Sequence, residues 1–99
     1  MKIFKELKKL GYIHYSATTI EELDDLPLNS AEKISEQALV LRWFREKHKL
    51  YVNIESQKNE MGFWGYVTNS TDYLYDIEVK IYEEAELACL VKLIEIVKK

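Results

Sequence analysis

Residues 50 to 81 read LYVNIESQKNEMGFWGYVTNSTDYLYDIEVKI, and the alternation of apolar and polar positions inside this stretch decides the fold. Leu50, Val52 and Ile54 alternate with Tyr51, Asn53 and Glu55, the period-two pattern of a half-buried strand. Gln57-Lys58-Asn59-Glu60 supplies a turn, and a second, aromatic-rich strand runs from Gly62 to Thr68. Asn69-Ser70-Thr71-Asp72 is a second turn, built of residues whose side chains bond their own backbone. Tyr73, Tyr75, Ile77, Val79 and Ile81 then alternate with Leu74, Asp76, Glu78 and Lys80 as a third strand. Three sequential strands joined by short turns make an antiparallel meander.

Helical periodicity flanks the meander on both sides. Downstream, Tyr82-Glu83-Glu84-Ala85-Glu86 opens a helix with acids in its first turn, and Lys92, Lys98 and Lys99 follow towards its end, as the helix dipole prefers. Ala85, Ala88, Cys89, Leu93 and Ile96 form one apolar face, while Leu87, Leu90, Val91, Ile94 and Val97 form nearly a second. Such a helix is either the centre of the core or an oligomer seam. Upstream, Asn29 or Ser30 caps a long helix on which Ala31, Ile34, Ala38, Leu41, Phe44 and His48 make an apolar stripe. Glu32, Lys33, Glu36, Arg42, Glu46 and Lys47 cover much of the rest, with Leu39, Val40 and Trp43 widening the stripe.

Before Ser30 the chain reads as an extension. Ile3, Phe4, Leu7 and Leu10 recur at helical spacing, Lys2, Lys5, Lys8 and Lys9 hold the other sides, and Gly11 stops the helix. Thr19-Ile20-Glu21-Glu22 matches a capping box and starts a turn or two of helix to Asp25, inside a segment from Ala17 to Ser30 that is the best linker in the chain. The expected architecture is α+β: a single domain over 1–99, with a 1–29 helical extension and a 30–99 core of helix, three-stranded meander and helix, both helices on one face of the sheet. Ninety-nine residues with one proline, three glycines and one cysteine leave no room for a second core.

From Ser30 to Lys99 the element order resembles the double-stranded-RNA-binding fold. That family grips its duplex through a lysine cluster at the start of the last helix, a loop between the first two strands and polar residues of the first helix. Here the helix start carries Glu83, Glu84 and Glu86, and Lys58-Asn59-Glu60 follows no Gly-Pro-His pattern, so the resemblance implies the fold without that activity. A second resemblance rests on the strings Trp43-Phe44-Arg45-Glu46-Lys47-His48 and Tyr82 to Lys98, which look like a family of small proteins of gut anaerobes and their prophage-like elements. It implies a mobile-element accessory protein and carries no activity with it.

Composition narrows the chemistry. Fourteen Lys and Arg against seventeen Asp and Glu give a net charge of −3, against both a global positive field for nucleic acid and the dense acidity of a DNA mimic. The lone Cys89 excludes an internal disulfide, and His14 and His48 make no zinc spacing with it. Lysines interrupt the N-terminal apolar residues where a signal peptide needs an unbroken run, and no apolar stretch spans a bilayer, so a cytoplasmic protein is expected. Cys89 reads as a small buried hydrophobe, His48 as a helix C-terminal cap, and Glu83, Glu84 and Glu86 as dipole partners and not metal ligands. No catalytic motif, cofactor site or metal site is expected.

The aromatic sheet is the least ordinary feature. With Val52, Ile54, Tyr75, Ile77 and Val79 under the helices, the opposite face shows Tyr51, Leu74 and either Trp64 with Tyr66 or Phe63 with Val67. That face is either an interface for a protein partner or a second copy, or is covered by the N-terminal helix through Ile3, Phe4, Leu7 and Leu10. Trp43, Tyr51, Trp64 and Tyr66 are therefore the candidate partner-binding residues. The alternative is a nucleic-acid-binding module using Lys5, Lys8 and Lys9 with Arg42, Arg45, Lys47 and Lys49, if these two basic clusters converge.

Overall fold

A computed structural model of the chain describes residues 2–15, 17–57 and 61–98. The turn read at Lys58-Asn59-Glu60 and the terminal Lys99 lie outside the described residues. In chain order the elements are α1 (Ile3–Lys9), α2 (Ile20–Asp25), α3 (Ala31–Trp43) continuing into a π-helical turn (Phe44–His48), β1 (Tyr51–Ser56), β2 (Phe63–Thr68), β3 (Tyr73–Val79) and α4 (Tyr82–Lys98). The strands form one antiparallel sheet in the order β1-β2-β3. This is the α+β architecture that the meander and its flanking helices predict.

Local chemistry sets the helix boundaries. Thr19 and Ser30 cap α2 and α3, their hydroxyls accepting from the Glu22 and Lys33 amides at 3.2 and 3.3 Å. Gly11, at φ +101°, turns the chain sharply after α1. The long helix expected to reach His48 loosens at Phe44 into the π-helical turn, and Lys49, at φ +57°, is its left-handed cap. Lys49 also donates its ammonium to the Glu46 carbonyl at 3.2 Å. The capping role expected of His48 therefore belongs to Lys49.

Pairing register assigns the two faces of the sheet. Phe63, Gly65 and Val67 lie opposite Ser56, Ile54 and Val52 on β1 and opposite Val79, Ile77 and Tyr75 on β3, and all share the face under α4. Gly65 is the point of closest approach: a Cβ there would stand 3.1 Å from Cys89 Sγ and 3.5 Å from Ala85 Cβ. Around this contact Val67, Cys89, Leu90, Leu93 and Ile94 close one core with Val40, Phe44 and Leu50. Ile3, Phe4, Leu7, Tyr12 and Leu23 from the first thirty residues enter the same cluster, so all four helices lie on one side of the sheet. Helix α4 fills the central place in the core that its two apolar faces allow.

The stripe expected on α3 is displaced. Ile34 is 41% exposed and Ala31 and Ala38 face solvent, while Lys33, Glu36, Gln37, Val40 and Phe44 form the buried row. The reason is a set of hydrogen bonds between the N-terminal elements. Asp24 on α2 accepts from the Phe4 and Lys5 amides at 2.8 and 3.1 Å and so caps α1. Lys33 donates its ammonium to the Asp24 and Leu26 carbonyls, at 3.4 and 3.0 Å, at the C-terminal end of α2. Glu36 accepts from the Tyr12 hydroxyl and, at 3.0 Å, from the Tyr15 amide. Buried polar groups with partners outrank apolar spacing in orienting this helix, since an unpaired one costs about 1–3 kcal/mol.

The Gly65 contact makes a specific prediction. Gly65→Ala lowers stability by about 1–3 kcal/mol, the usual cost of overpacking, read as a reduced urea midpoint. In a Cys89→Ala background, where the opposing sulfur is absent, the same substitution costs measurably less.

Candidate functional site

Alternation along β2 sends Trp64, Tyr66 and Thr68 to the face away from the helices. Their register partners are Glu55, Asn53 and Tyr51 on β1 and Glu78, Asp76 and Tyr73 on β3. Between the two candidate aromatic pairs, the open face therefore carries Trp64 with Tyr66, and Phe63 with Val67 packs inward. Phe63 meets the Tyr82 ring edge-on, with centroids 5.7 Å apart.

A β-bulge changes the reading of β3. The register shifts at Val67/Thr68, so that Val67 opposes Tyr75 while Thr68 opposes Tyr73. The extra residue, Leu74, expected on the open face, packs against the core instead. Tyr73, expected in the inner row, is thrown onto the open face and is 54% exposed. Trp64, Tyr66 and Tyr73 there form one cluster, with centroids 4.6 Å (Trp64–Tyr66), 5.9 Å (Tyr66–Tyr73) and 6.4 Å (Trp64–Tyr73) apart. The Tyr66 and Tyr73 planes are 16° from parallel.

Asp76 fastens this cluster. Its carboxylate accepts from Trp64 Nε1 at 3.1 Å. The Tyr73 hydroxyl is pushed up to about 12 by the loss of water around it and by the adjacent Asp76 carboxylate. Sequence reasoning named Trp64 and Tyr66 but missed Tyr73 and the fastening role of Asp76, because a bulge leaves no mark in a pattern of period two.

The other expected site residues are dispersed. Tyr51 sits at the β1 corner of the open face, across from Thr68. Trp43 lies elsewhere: its ring meets Tyr12, Phe44 and His48 edge-on at 4.9–5.6 Å, under the Lys47 ammonium at 5.4 Å. His48 is half-buried there, and burial followed by the Lys47 charge disfavours its protonated form. Lys47 also lies beside Gly11, 3.8 Å from where a Cβ would stand, so one member of the second basic cluster approaches the end of α1. Within these clusters Lys9 pairs with Glu6 at 3.1 Å and Arg42 with Glu46 at 2.9 Å, whereas Lys5 and Lys8 are exposed. Arg45 lines an open groove with Leu41, Tyr51, Tyr82 and Glu86, along the free edge of β1.

Two groups with reactive side chains are buried. Cys89 is fully enclosed against Gly65, and burial, with Glu86 nearby, raises its thiol to about 11, far from a thiolate at neutral pH. Glu86 is 7% exposed, and burial, followed by the charge of Glu83, raises its carboxyl above the usual range. Among the described residues, no three His, Cys, Asp or Glu side chains are disposed to hold a metal ion, and no helix is long and apolar enough to cross a membrane. Comparison with protein-family models, with curated proteins and with solved structures finds no match.

Two outcomes follow. Asp76→Ala should lower the Tyr73 ionisation from about 12 towards the ordinary value near 10, followed by NMR of labelled tyrosine, and should shift the Trp64 indole N–H resonance in the same sample. Because the folded protein raises the Glu86 carboxyl, it holds that proton more tightly than the unfolded chain, and the ionised form above the unfolded value is a liability to folding. Glu86→Gln should therefore raise the melting temperature at neutral pH, with the gain disappearing as the pH falls below about 4.

Proposed function

We propose that this protein is a non-enzymatic interaction module that docks a protein partner on the open face of its sheet. One observation carries the reading: Trp64, Tyr66 and Tyr73 are gathered into a single cluster on the face that none of the four helices covers. Tyr and Trp bury large area with few rotatable bonds, and for that reason they dominate the centres of protein interfaces. Covering by α1, the other expectation for this face, is overturned by Ile3, Phe4 and Leu7, which are spent in the core on the opposite side.

The reading agrees with the accessory role implied by the likeness of the Trp43 to His48 and Tyr82 to Lys98 strings to small mobile-element proteins. Nucleic acid is the weaker reading for this face. Among the described residues, those paired across it include Glu55, Asp76 and Glu78 and no Lys or Arg, so phosphates would meet carboxylates.

The experiment compares the wild-type chain with a Trp64→Ala/Tyr66→Ala variant as bait in cell lysate, with mass in solution recorded for both. The wild type should retain a protein that the variant loses, with affinity reduced at least about thirtyfold, the scale of an interface hot spot. Circular dichroism of the variant should remain native. A strictly monomeric wild type that retains nothing, or a variant that retains the same protein equally, overturns the reading.

A further inference from the structure

Resting on that reading of the open face, we propose that the segment docked there is basic and arginine-bearing, its guanidinium groups lying on the aromatic cluster and pairing with Glu55 and Glu78. Trp64 is the direct register partner of Glu55 on β1 and of Glu78 on β3, which sets one exposed carboxylate on each side of the central indole. Paired side chains on neighbouring strands stand about 5 Å apart, so both carboxylates are within reach of a cation stacked on the ring.

The charge on this face is segregated. The chain has fourteen Lys and Arg, yet among the described residues none occupies an outward position paired across the sheet. Among the described residues neither Glu55 nor Glu78 forms an ion pair, whereas Asp76 is engaged by the Trp64 indole. A sheet face serving only solubility has no reason to combine clustered aromatic rings with charge of one sign. Cations complement both components at once, since ring faces attract positive charge and carboxylates accept its hydrogen bonds.

Arginine suits the site better than lysine. Its planar guanidinium is weakly hydrated, stacks on aromatic rings and keeps its in-plane donors free for carboxylates, whereas an ammonium holds its water. A second copy packed face to face is disfavoured, because it would set Glu55, Asp76 and Glu78 against their own counterparts.

The test titrates the isotope-labelled full chain with three peptides of equal length, rich in arginine, lysine or glutamate, and with single-stranded RNA, following the two indole N–H resonances. The arginine peptide should shift the Trp64 signal and spare that of Trp43. Its affinity should fall about tenfold or more in Glu55→Gln/Glu78→Gln and fall again between about 50 and about 300 mM salt. The lysine peptide should bind several-fold more weakly. The inference is overturned if the arginine peptide leaves Trp64 unmoved, if its shifts map to the acidic run Glu21–Asp25, if the double variant binds it equally well, or if lysine matches arginine.

Other outcomes separate the inference from the reading beneath it. If the glutamate peptide or RNA moves Trp64, or the chain self-associates in a way that Tyr66→Ala abolishes, the face is a docking surface with a different occupant and the arginine assignment falls. If none of the probes moves Trp64 and the lysate experiment also retains nothing, both fall.

Discussion

The architecture turns on the missing side chain at position 65. Because Gly65 presents only backbone to α4, the helix settles on the central strand with Cys89 and Ala85 in contact with it. The sheet can then bury Val67 beneath Leu90, Leu93 and Ile94 without an intervening layer. A larger residue there would meet Cys89 and Ala85 and lift α4 from the strand. One face of the sheet is thereby packed under α4, and on the other Trp64 and Tyr66 are half-buried against each other while Tyr73 is exposed.

The N-terminal elements are held by a different kind of interaction. Asp24 caps α1, Lys33 satisfies carbonyls at the end of α2, and Glu36 gathers Tyr12 and the Tyr15 amide, so that each of α1, α2 and α3 has a terminus or flank secured by a side chain of a neighbour. Burying Lys33 and Glu36 costs desolvation that these hydrogen bonds help to offset. The arrangement fixes the rotation of α3 about its own axis, and therefore decides that Val40 and Phe44 enter the core while Ile34 stays outside.

How far the fold was legible in the sequence depended on which force positions each element. The meander, α4 and α1 are governed by apolar burial, and their periods of 2 and 3.6 announce them; the caps at Thr19 and Ser30 are short-range chemistry and were readable for the same reason. The face of α3 was not, because its orientation follows hydrogen bonds to residues 7 to 24 positions away in the chain, which no local pattern records. The candidate site was half legible. Trp64 and Tyr66 follow from alternation along β2, while Tyr73 reaches them through a bulge that reverses the expected facing of Tyr73 and Leu74.

That bulge gives the open face its preorganisation. Without it Tyr73 would point inward and Leu74 outward, leaving Trp64 and Tyr66 as a pair on one strand beside an aliphatic side chain. With it, three rings from two strands share one surface, and Asp76 binds the indole that stands across the strand pair from it diagonally. Rings held by their neighbours and by a carboxylate lose little rotamer freedom when a partner arrives, and in exposed aromatic residues that entropy is a main opponent of association. Exposed apolar area invites indiscriminate aggregation as well as docking. Glu55 and Glu78, set on either side of Trp64, put like charge where another copy of the same face would have to pack, which opposes that outcome in the proposed role. The indole and the two carboxylates therefore lie in one row across the three strands, all on the outward phase of the two-residue period that builds the sheet.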